Sequence, residues 1–460
     1  MAKAEALPAN PPEPLASADD GKWAAELFGQ AQDILRGNDK NGHYTVPAAG
    51  MYPHQWLWDS CFVAIGLRQY DVKRAQAEIT SLFRGQWSNG MLPNMIFNDD
   101  GKHRRDRNLW RSWVSPFAPN KVSTSGITQP PLVAEAVVKI GQKMTKAERR
   151  TWYQKNFSQL VKYHQWLYAD RDPHGEGLVL LIHPWETGQD NTPPWISELH
   201  SHQLTWWIRA AQKLRLEPLI NFFRRDIQYV PPEQRLGAID ALALYSVQHR
   251  LRRKAYAIDA VLEHSLLAIE DVGFNAIFIR ANQQLQTIAK EIGRQLPDGL
   301  KARMAQTEAA FEQLWDDHDK LYYSRNFVTH TPIKLPTIAS LLALYAGSVS
   351  PERAKLLVKQ LTAATKFGTP FPVPSVPMDS DWFHEFGYWQ GPTWINTNWL
   401  LVDGLRRYGY QDQADAIAKS CLDLVRQSGF CEYFSPLSGA PAGIANFSWT
   451  AALTIDLLKS

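Results

Sequence analysis

Apolar residues recur at helical spacing along most of this chain. From Trp23 onward, the apolar positions Leu27, Ala31 and Leu35 fall on one face of a helix. A longer pattern runs over 145–170 and opens with the Thr-x-x-Glu spacing of a capping box. Similar patterns predict further helices over 59–69, 71–85, 130–142, 198–215, 235–250, 252–269, 270–293, 299–318, 336–347, 351–364, 394–408, 411–428 and 446–459. Very little of the chain reads as strand, so the pattern predicts an all-α fold.

The predicted helices follow one another without a Ser/Gly-rich linker or a block of like charge. We therefore expect one all-α domain over 19–460, in which paired helices stack and their connecting loops gather on one side. An (α/α) toroid is one arrangement of this kind, although the periodicity alone does not require it. Residues 1–18 are rich in Ala and Pro and lack the apolar run of a secretory signal, so we expect a disordered leader there.

Charge and hydropathy narrow the classes of function. The 49 basic and 46 acidic residues give a net charge of +3, which suggests neither nucleic acid nor an anionic membrane as a partner. The longest apolar stretch, 335–349, is interrupted by Pro336, Thr337 and Gly347 and is too short to span a bilayer. We therefore expect a cytoplasmic protein that acts on a small, weakly charged molecule. The sequence does not predict an oligomeric state.

The spacing of cysteine and histidine indicates neither a disulfide framework nor a metal site. Cys61, Cys421 and Cys431 form no CxxC pair, and we expect buried free thiols. The histidines lack partners at metal-ligand spacing, and no nucleotide-binding glycine motif follows a strand. The sequence thus predicts no metal and no cofactor.

Two distant segments place carboxylates among Trp, Tyr, Gly and Pro. The first, 183–195, holds Glu186 and Asp190, and the second, 429–436, holds Glu432. Flat aromatic rings cover the apolar face of a sugar, and carboxylates accept hydrogen bonds from its hydroxyl groups. Hydrolysis of a glycosidic bond needs one carboxylic acid to protonate the leaving oxygen and a second carboxylate to activate water or attack carbon. The two segments therefore predict a sugar-cleaving site.

Each of these carboxylates also has a simpler interpretation. Asp190 precedes Asn and Pro, a sequence typical of a turn, and Glu186 is a second candidate for the acid. Glu432 suits an ordinary exposed loop. Asp59 stands at the start of a predicted helix, where an N-cap is the usual role of Asp.

Further loop segments carry the same mixture of aromatic and polar residues, at 52–59, 90–94, 124–131 and 385–394. Together with the two carboxylate segments, they resemble glycoside hydrolase family 63 and its bacterial relatives, the mannosylglycerate and glucosylglycerate hydrolases. The resemblance extends from about Tyr52 to Trp449. It implies an (α/α)6 barrel that hydrolyses an α-glucosidic or α-mannosidic bond with inversion.

The resemblance also implies roles for individual residues. Asp190, in the motif Trp-Glu-x-Gly-x-Asp-Asn-x-Pro, matches the general acid of the family, and Glu432 matches its general base. Glu186 is then left as a supporting or sugar-binding residue. The substrate-binding positions of the family match Tyr52, Trp56, Asp59, Gln129, Gly188, Tyr388, Trp389, Gly391 and Trp394.

Two departures from the family pattern bear on the aglycone. Gln390 stands where Arg is frequent, and 192–196 reads Thr-Pro-Pro-Trp-Ile where Ser-Pro-Arg-Trp-Asp is frequent. A basic residue and an acid are therefore missing. Arg224 and Arg225, or a residue of 103–107, are candidates to neutralise the carboxylate of a glycerate-type aglycone.

The expected mechanism is a single displacement, in which protonated Asp190 donates to the glycosidic oxygen and ionised Glu432 takes a proton from water. A Trp-rich wall should raise the pKa of Asp190. The nearest alternatives are a trehalase or a general α-glucosidase. An (α/α)6 sugar epimerase or a non-catalytic sugar-binding protein would share the fold and the aromatic residues without this chemistry.

Overall fold

The computed structural model describes residues 20–98, 101, 104–202, 204–263, 265 and 267–460. The predicted leader, 1–18, lies outside these residues. Helices dominate the described chain, as the periodicity predicts. They are α1 Asp20–Gly37, α2 Leu57–Leu67, α3 Val72–Arg84, α4 Arg104–Trp110, α5 Val133–Gly141, α6 Lys146–Asp170, α7 Pro193–His202, α8 Trp206–Lys213, α9 Glu217–Phe222, α10 Ala238–Arg253, α11 Ile258–Leu262, α12 Val272–Ile292, α13 Leu300–Phe311, α14 Ile338–Leu341, α15 Ala343–Ala346, α16 Pro351–Thr362, α17 Ile395–Arg407, α18 Gln411–Ser428 and α19 Ser448–Leu457.

An inner ring of helices closes on itself. Its members follow in the order α2, α5, α12, α15, α17 and α19, and α19 packs back against α2. Helices α1, α3, α6, α13 and α18 lie outside the ring, each against one or two of its members. This arrangement is an (α/α)6 barrel, which confirms the predicted all-α class.

The residues of each layer explain its place. Every residue of α2 and of α19 is buried, because an inner helix meets neighbours on all sides. Outer helices bury one face only. In α18 the buried positions include Ala414, Ile417, Ala418 and Cys421, at the spacing of a single helical stripe.

Short antiparallel strand pairs connect the helices. The strands are β1 Asp39–Lys40, β2 Tyr44–Thr45, β3 Gln55–Trp56, β4 Met95–Ile96, β5 Ile269–Glu270, β6 Trp315–Asp316, β7 Leu321–Tyr322, β8 Arg325–Asn326, β9 Cys431–Phe434 and β10 Pro441–Ala445. The pairs are β1 with β2, β3 with β4, β5 with β8, β6 with β7 and β9 with β10. Two of them, β3–β4 and β9–β10, carry residues of the predicted site.

Three predicted helices, 198–215, 252–269 and 336–347, are wrong as single elements. The prediction over 198–215 is divided, because the extended backbone of Thr205 separates α7 from α8. The prediction over 252–269 fails where Ala255 and Tyr256 take positive φ angles of 52° and 59°. The ring of Tyr256 stacks on Trp110, and its hydroxyl donates to the Trp110 carbonyl. These tertiary contacts outweigh the local helical pattern, and only the short α11 follows.

Other differences concern helix ends. The prediction over 299–318 ends early, since α13 stops at Phe311 and β6 follows. The prediction over 336–347 is divided into α14 and α15. Helices α4 and α9 were not predicted. The capping box of Thr145 with Glu148 is confirmed at the start of α6.

The expectations on cysteine and on membrane spans also meet the structure. Cys61, Cys421 and Cys431 are free and buried, as predicted. In the part of the chain that the structure describes, no helix has the length and apolar character needed to cross a membrane.

Candidate active site

Several of the predicted site residues lie near the N-terminal ends of inner helices. Tyr52 and Trp56 lie just before α2, Gln129 lies just before α5, and Tyr388 precedes α17. Glu432 lies on β9, and the β9–β10 hairpin leads into α19. Because these helices are neighbours in the ring, segments that are far apart in the sequence meet at one cleft.

The cleft has an inner and an outer part, and Tyr52, Trp56, Asp190 and Tyr388 border both. The inner part is lined in addition by Pro47, Trp58, Asp59, Gln129, Gly188, Trp389, Glu432, Phe447 and Trp449. The outer part is lined in addition by charged and apolar side chains. The charged ones are Arg224, Arg225, Arg235, Asp106 and Asp226, and the apolar ones include Leu109, Trp110, Trp185, Leu236, Leu244 and Tyr245. The two predicted catalytic carboxylates therefore share the inner part.

Asp190 belongs to a turn that buried polar contacts hold in place. Before it, Glu186 is fully buried and forms an ion pair with Arg171, with 2.8 Å between Nη2 and Oε1. After it, the side chain of Asn191 accepts the backbone N–H of Trp389 at 2.8 Å. Glu186 does not line the cleft, so its position suits support of the turn and not proton donation.

The environment of Asp190 favours its protonated form. Burial raises the pKa of this carboxyl from its ordinary value of 3.8 to about 7. The Tyr388 hydroxyl, which donates to Oδ2 at 3.2 Å, and the charge of Arg235 act against this rise, whereas the charge of Glu432 adds to it. A carboxylic acid that is still protonated near neutral pH can serve as a general acid.

Glu432 is held by four hydrogen bonds and is 2% exposed. Its Oε1 accepts from the Tyr52 hydroxyl at 2.8 Å and from Arg235 Nη1 at 3.2 Å. Its Oε2 accepts from Arg235 Nη2 at 2.5 Å and from the backbone N–H of Ile444 at 3.1 Å. These partners stabilise the ionised carboxylate, which is the form that a general base requires.

The inner part presents polar groups suited to sugar hydroxyls. Gln129 Oε1, Trp56 Nε1 and Trp449 Nε1 are buried without a hydrogen-bond partner among the described residues. Asp59 also lines this part, and burial raises its pKa well above the ordinary value. Asp59 is not an N-cap, because α2 begins at Leu57. A ligand with several hydroxyl groups would satisfy these atoms.

Gly188 is required by close packing at the wall of the inner part. Its φ angle is +70°, and a Cβ added there would lie 2.3 Å from Cζ2 of Trp58. A side chain at this position would therefore collide with the indole ring, and only glycine fits without strain.

Tyr388, Trp389, Gly391 and Trp394 form two layers. Tyr388 and Trp389 line the inner part, whereas Trp394 stacks behind Trp389, with ring centroids 3.7 Å apart. Gly391 also lies behind the wall, where an added Cβ would come within 2.2 Å of the His384 carbonyl oxygen. Gly391 and Trp394 thus position the wall, and neither lines the cleft itself.

The candidate aglycone anchors, Arg224 and Arg225, both line the outer part. Arg224 is buried and bound through Nε and Nη2 to Asp226, at 3.1 and 2.5 Å. Arg225 is exposed and donates to the Gly50 carbonyl at 3.2 Å. Arg225 therefore has fewer side-chain contacts than Arg224 and is the better candidate to bind an aglycone carboxylate. In 103–107, the other candidate, residue 103 lies outside the described residues.

Sequence reasoning missed Arg235 and Trp449 as site residues. Arg235 falls in the predicted helix 235–250, but α10 begins only at Ala238, so Arg235 lies in a loop after Pro231 and Pro232. Trp449 marks the end of the family resemblance and was not assigned a role. No motif points to either residue, although an arginine between Pro-Pro and a helix start is a signal for a loop position.

The described residues also include one group of acids and histidine close enough to share an ion, Asp316, His318 and Asp319. These residues do not line the cleft, and Lys334 already pairs with both carboxylates. We therefore assign no metal to the site.

Comparison with known proteins places the chain in a family. The model of the mannosylglycerate hydrolase MGH1-like glycoside hydrolase domain matches residues 52–450. The chain belongs to this family. It is therefore a glycoside hydrolase of family 63. Membership favours hydrolysis over the epimerase and the non-catalytic sugar-binding protein.

Curated relatives match over nearly their whole length. The mannosylglycerate hydrolase of Rubrobacter radiotolerans is 36% identical over 95% of this chain and 98% of its own. The mannosylglycerate hydrolase of Thermus thermophilus is 37% identical over 93% of this chain and 99% of its own. The glucosylglycerate hydrolase of Mycolicibacterium hassiacum is 30% identical over 94% of this chain and 98% of its own.

Solved structures agree. A crystal structure of a family 63 mannosylglycerate hydrolase from Thermus thermophilus, in complex with Tris and D-glycerate, matches with a TM-score of 0.84 and 36% identity. The match covers 94% of this chain and 99% of that one. Neutral trehalase from Saccharomyces cerevisiae has a TM-score of 0.57 at 16% identity and shares the fold alone.

Proposed function

We propose that the enzyme hydrolyses an α-glycoside of glycerate, with Asp190 as the general acid and Glu432 as the general base. The observation that carries this proposal is the shared inner part of the cleft, where a carboxyl with a pKa of about 7 and a carboxylate held by an arginine face the same space. The two groups thus have different surroundings, one that favours the protonated carboxyl and one in which the carboxylate pairs with an arginine, as suits an acid–base pair.

The acid step follows from the position of Asp190. It borders both the inner and the outer part, so it lies where the bond between sugar and aglycone would cross from one to the other. The protonated carboxyl donates to the glycosidic oxygen as that bond breaks. The Tyr388 hydroxyl, which donates to Asp190 Oδ2, then stabilises the carboxylate that forms.

The base step follows from the position of Glu432. This carboxylate lines the inner part only, which we assign to the sugar ring. A water between Glu432 and the anomeric carbon would attack the face opposite to the leaving group, and Glu432 would take its proton. One displacement of this kind inverts the anomeric configuration.

The glycerate aglycone is supported by the relatives and by the charges of the outer part. Relatives at 36% and 37% identity are mannosylglycerate hydrolases, and one at 30% is a glucosylglycerate hydrolase. The outer part carries Arg225 and Arg235, which suit a carboxylate. The higher identity favours mannose over glucose as the sugar. A cytoplasmic location stays a prediction.

The acid role can be tested with Asp190→Asn on two substrates. Fluoride needs no proton to leave, whereas glycerate does. We expect the variant to lose mannosylglycerate hydrolysis by a factor on the order of 100 or more and to keep most of its activity on α-mannosyl fluoride. Equal losses on both substrates would contradict the assignment.

A further inference from the structure

The candidate base has no acceptor position left for the attacking water. A carboxylate offers about four lone-pair directions. On Glu432 these receive the Tyr52 hydroxyl, two donors of Arg235 and the backbone N–H of Ile444. A water can bind and give up a proton only after one of these partners has moved.

Arg235 is the partner best placed to leave. Ile444 is fixed in the β9–β10 hairpin through its backbone, and the Tyr52 hydroxyl makes a single contact with the carboxylate. Arg235 makes two of the four contacts, and its departure frees one position on each oxygen. Its side chain also borders the outer part of the cleft.

The backbone of Arg235 does not need to move. The preceding residue, Gln234, is tied to the hairpin that carries Glu432, because its carbonyl accepts the Tyr433 hydroxyl at 2.5 Å and its Oε1 accepts the Gly443 N–H at 3.0 Å. The Arg235 guanidinium itself is incompletely satisfied, since Nε is buried without a partner among the described residues. Rotation of the long side chain alone would exchange one set of partners for another.

We propose that Arg235 is a latch on the base, closed in the free enzyme and drawn off Glu432 by a carboxylate that enters the outer part of the cleft. This inference rests on the proposed function. An anionic aglycone competes with Glu432 for the same guanidinium, and its binding frees the base only when the substrate is in place. Specificity for anionic aglycones would then act on kcat as well as on binding, because a neutral aglycone leaves the latch closed.

The test uses a substrate that leaves the outer part empty. The full-length enzyme hydrolyses α-mannosyl fluoride or α-glucosyl fluoride while free D-glycerate is added at increasing concentration. An open latch raises kcat, and allosteric couplings of this kind are commonly at least about fivefold. Glycerol, which has the hydroxyl groups without the carboxylate, is the matched ligand control. We expect stimulation by D-glycerate and none by glycerol.

Two variants separate the latch from simple binding. In Arg235→Gln, the fluoride should be hydrolysed without D-glycerate at close to the stimulated wild-type rate, and D-glycerate should add nothing. In Arg225→Met, which removes a second arginine of the outer part, the concentration of D-glycerate for half-maximal stimulation should rise while the maximal rate stays. Thermal unfolding shows whether each variant is folded.

The results that would overturn the latch are distinct. Inhibition or no effect by D-glycerate in the wild type contradicts it without any variant. A fall in fluoride hydrolysis by Arg235→Gln, with Arg235→Lys restoring the rate, would mean that the arginine positions the base permanently. If the wild type cleaves neither the fluorides nor the glycerate glycosides, the proposed function fails and the latch with it.

Discussion

The hydrogen bond from Tyr388 to Asp190 makes a quantitative prediction. The Tyr388 hydroxyl donates to Asp190 Oδ2 at 3.2 Å, and this contact lowers a pKa that burial raises to about 7. Tyr388→Phe removes the hydroxyl and keeps the ring, over which the Arg235 guanidinium lies 4.9 Å from the centroid. The variant should therefore raise the pKa of the acid further, because the ionised form loses a donor.

The size of the shift follows from the strength of the bond. A hydrogen bond to a charged group contributes about 1.5–3 kcal/mol, and a contact at 3.2 Å belongs at the weak end. Since about 1.36 kcal/mol corresponds to one pKa unit, we expect a rise of roughly one unit. A general acid is active while protonated, so activity falls as pH rises through its pKa. The alkaline limb of kcat/KM should move about one unit upward in the variant.

The assay is the pH dependence of kcat/KM for mannosylglycerate between about pH 5 and 9. Tyr345→Phe is a matched control, because Tyr345 is buried away from the cleft and its hydroxyl has no partner among the described residues. The control should leave the alkaline limb in place. An unchanged or downward-shifted limb in Tyr388→Phe would refute the assignment of that limb to Asp190.

Three further changes test other parts of the account. Burial raises the pKa of Asp190 from 3.8 to about 7, so the folded protein loses stability as pH rises through that range. In thermal unfolding, Asp190→Asn should therefore be more stable than the wild type at pH 8, by at most about 4 kcal/mol, and should gain little at pH 4. An equal gain at both pH values would contradict the buried charge. The clash with Trp58 should lower the free energy of unfolding of Gly188→Ala by about 1–3 kcal/mol, as measured by urea denaturation. Gly42→Ala is the control and should lose less, because Gly42 has a similar φ of +72° but no described atom lies within 4 Å of an added Cβ. Asp59→Ala should raise KM for the glycoside about tenfold if it binds a sugar hydroxyl, and an unchanged KM would leave it a packing role.

The fold class was predictable because the apolar periodicity is strong and long. The closed ring was not predictable from the periodicity, since no pattern shows which helix packs against which. The family resemblance implied it, and the contact of α19 with α2 confirms it. The errors occur where tertiary contacts decide the backbone. Tyr256 illustrates this, because its bond to the Trp110 carbonyl and its positive φ angle replace a helix that the local pattern favours.

The site was predictable as far as motifs carry it. Asp190 and Glu432 lie in aromatic segments that resemble the family, and the structure brings both into one cleft. Motifs do not distinguish residues that line the cleft from residues that pack behind them. Trp389 lines the cleft, whereas Trp394 of the same segment stacks behind it. The role of Arg235 could not be predicted from the sequence, because its contact with Glu432 forms only when its loop packs on the β9–β10 hairpin.

The role of Glu432 can be tested by azide rescue of Glu432→Ala, and inversion by following with NMR which anomer of the sugar the wild type releases first. The variant lacks the base, so water attack is slow, but azide needs no base and fits the space left by the carboxylate. With α-mannosyl fluoride, or with α-glucosyl fluoride if glucose is the preferred sugar, azide should restore turnover. The product, followed by NMR, should be the β-glycosyl azide. The sugar that the wild type releases first should be the β-anomer, because one displacement inverts the anomeric carbon. Release of the α-anomer by the wild type, formation of the α-glycosyl azide, or no rescue in a folded variant would contradict a single displacement with Glu432 as its base.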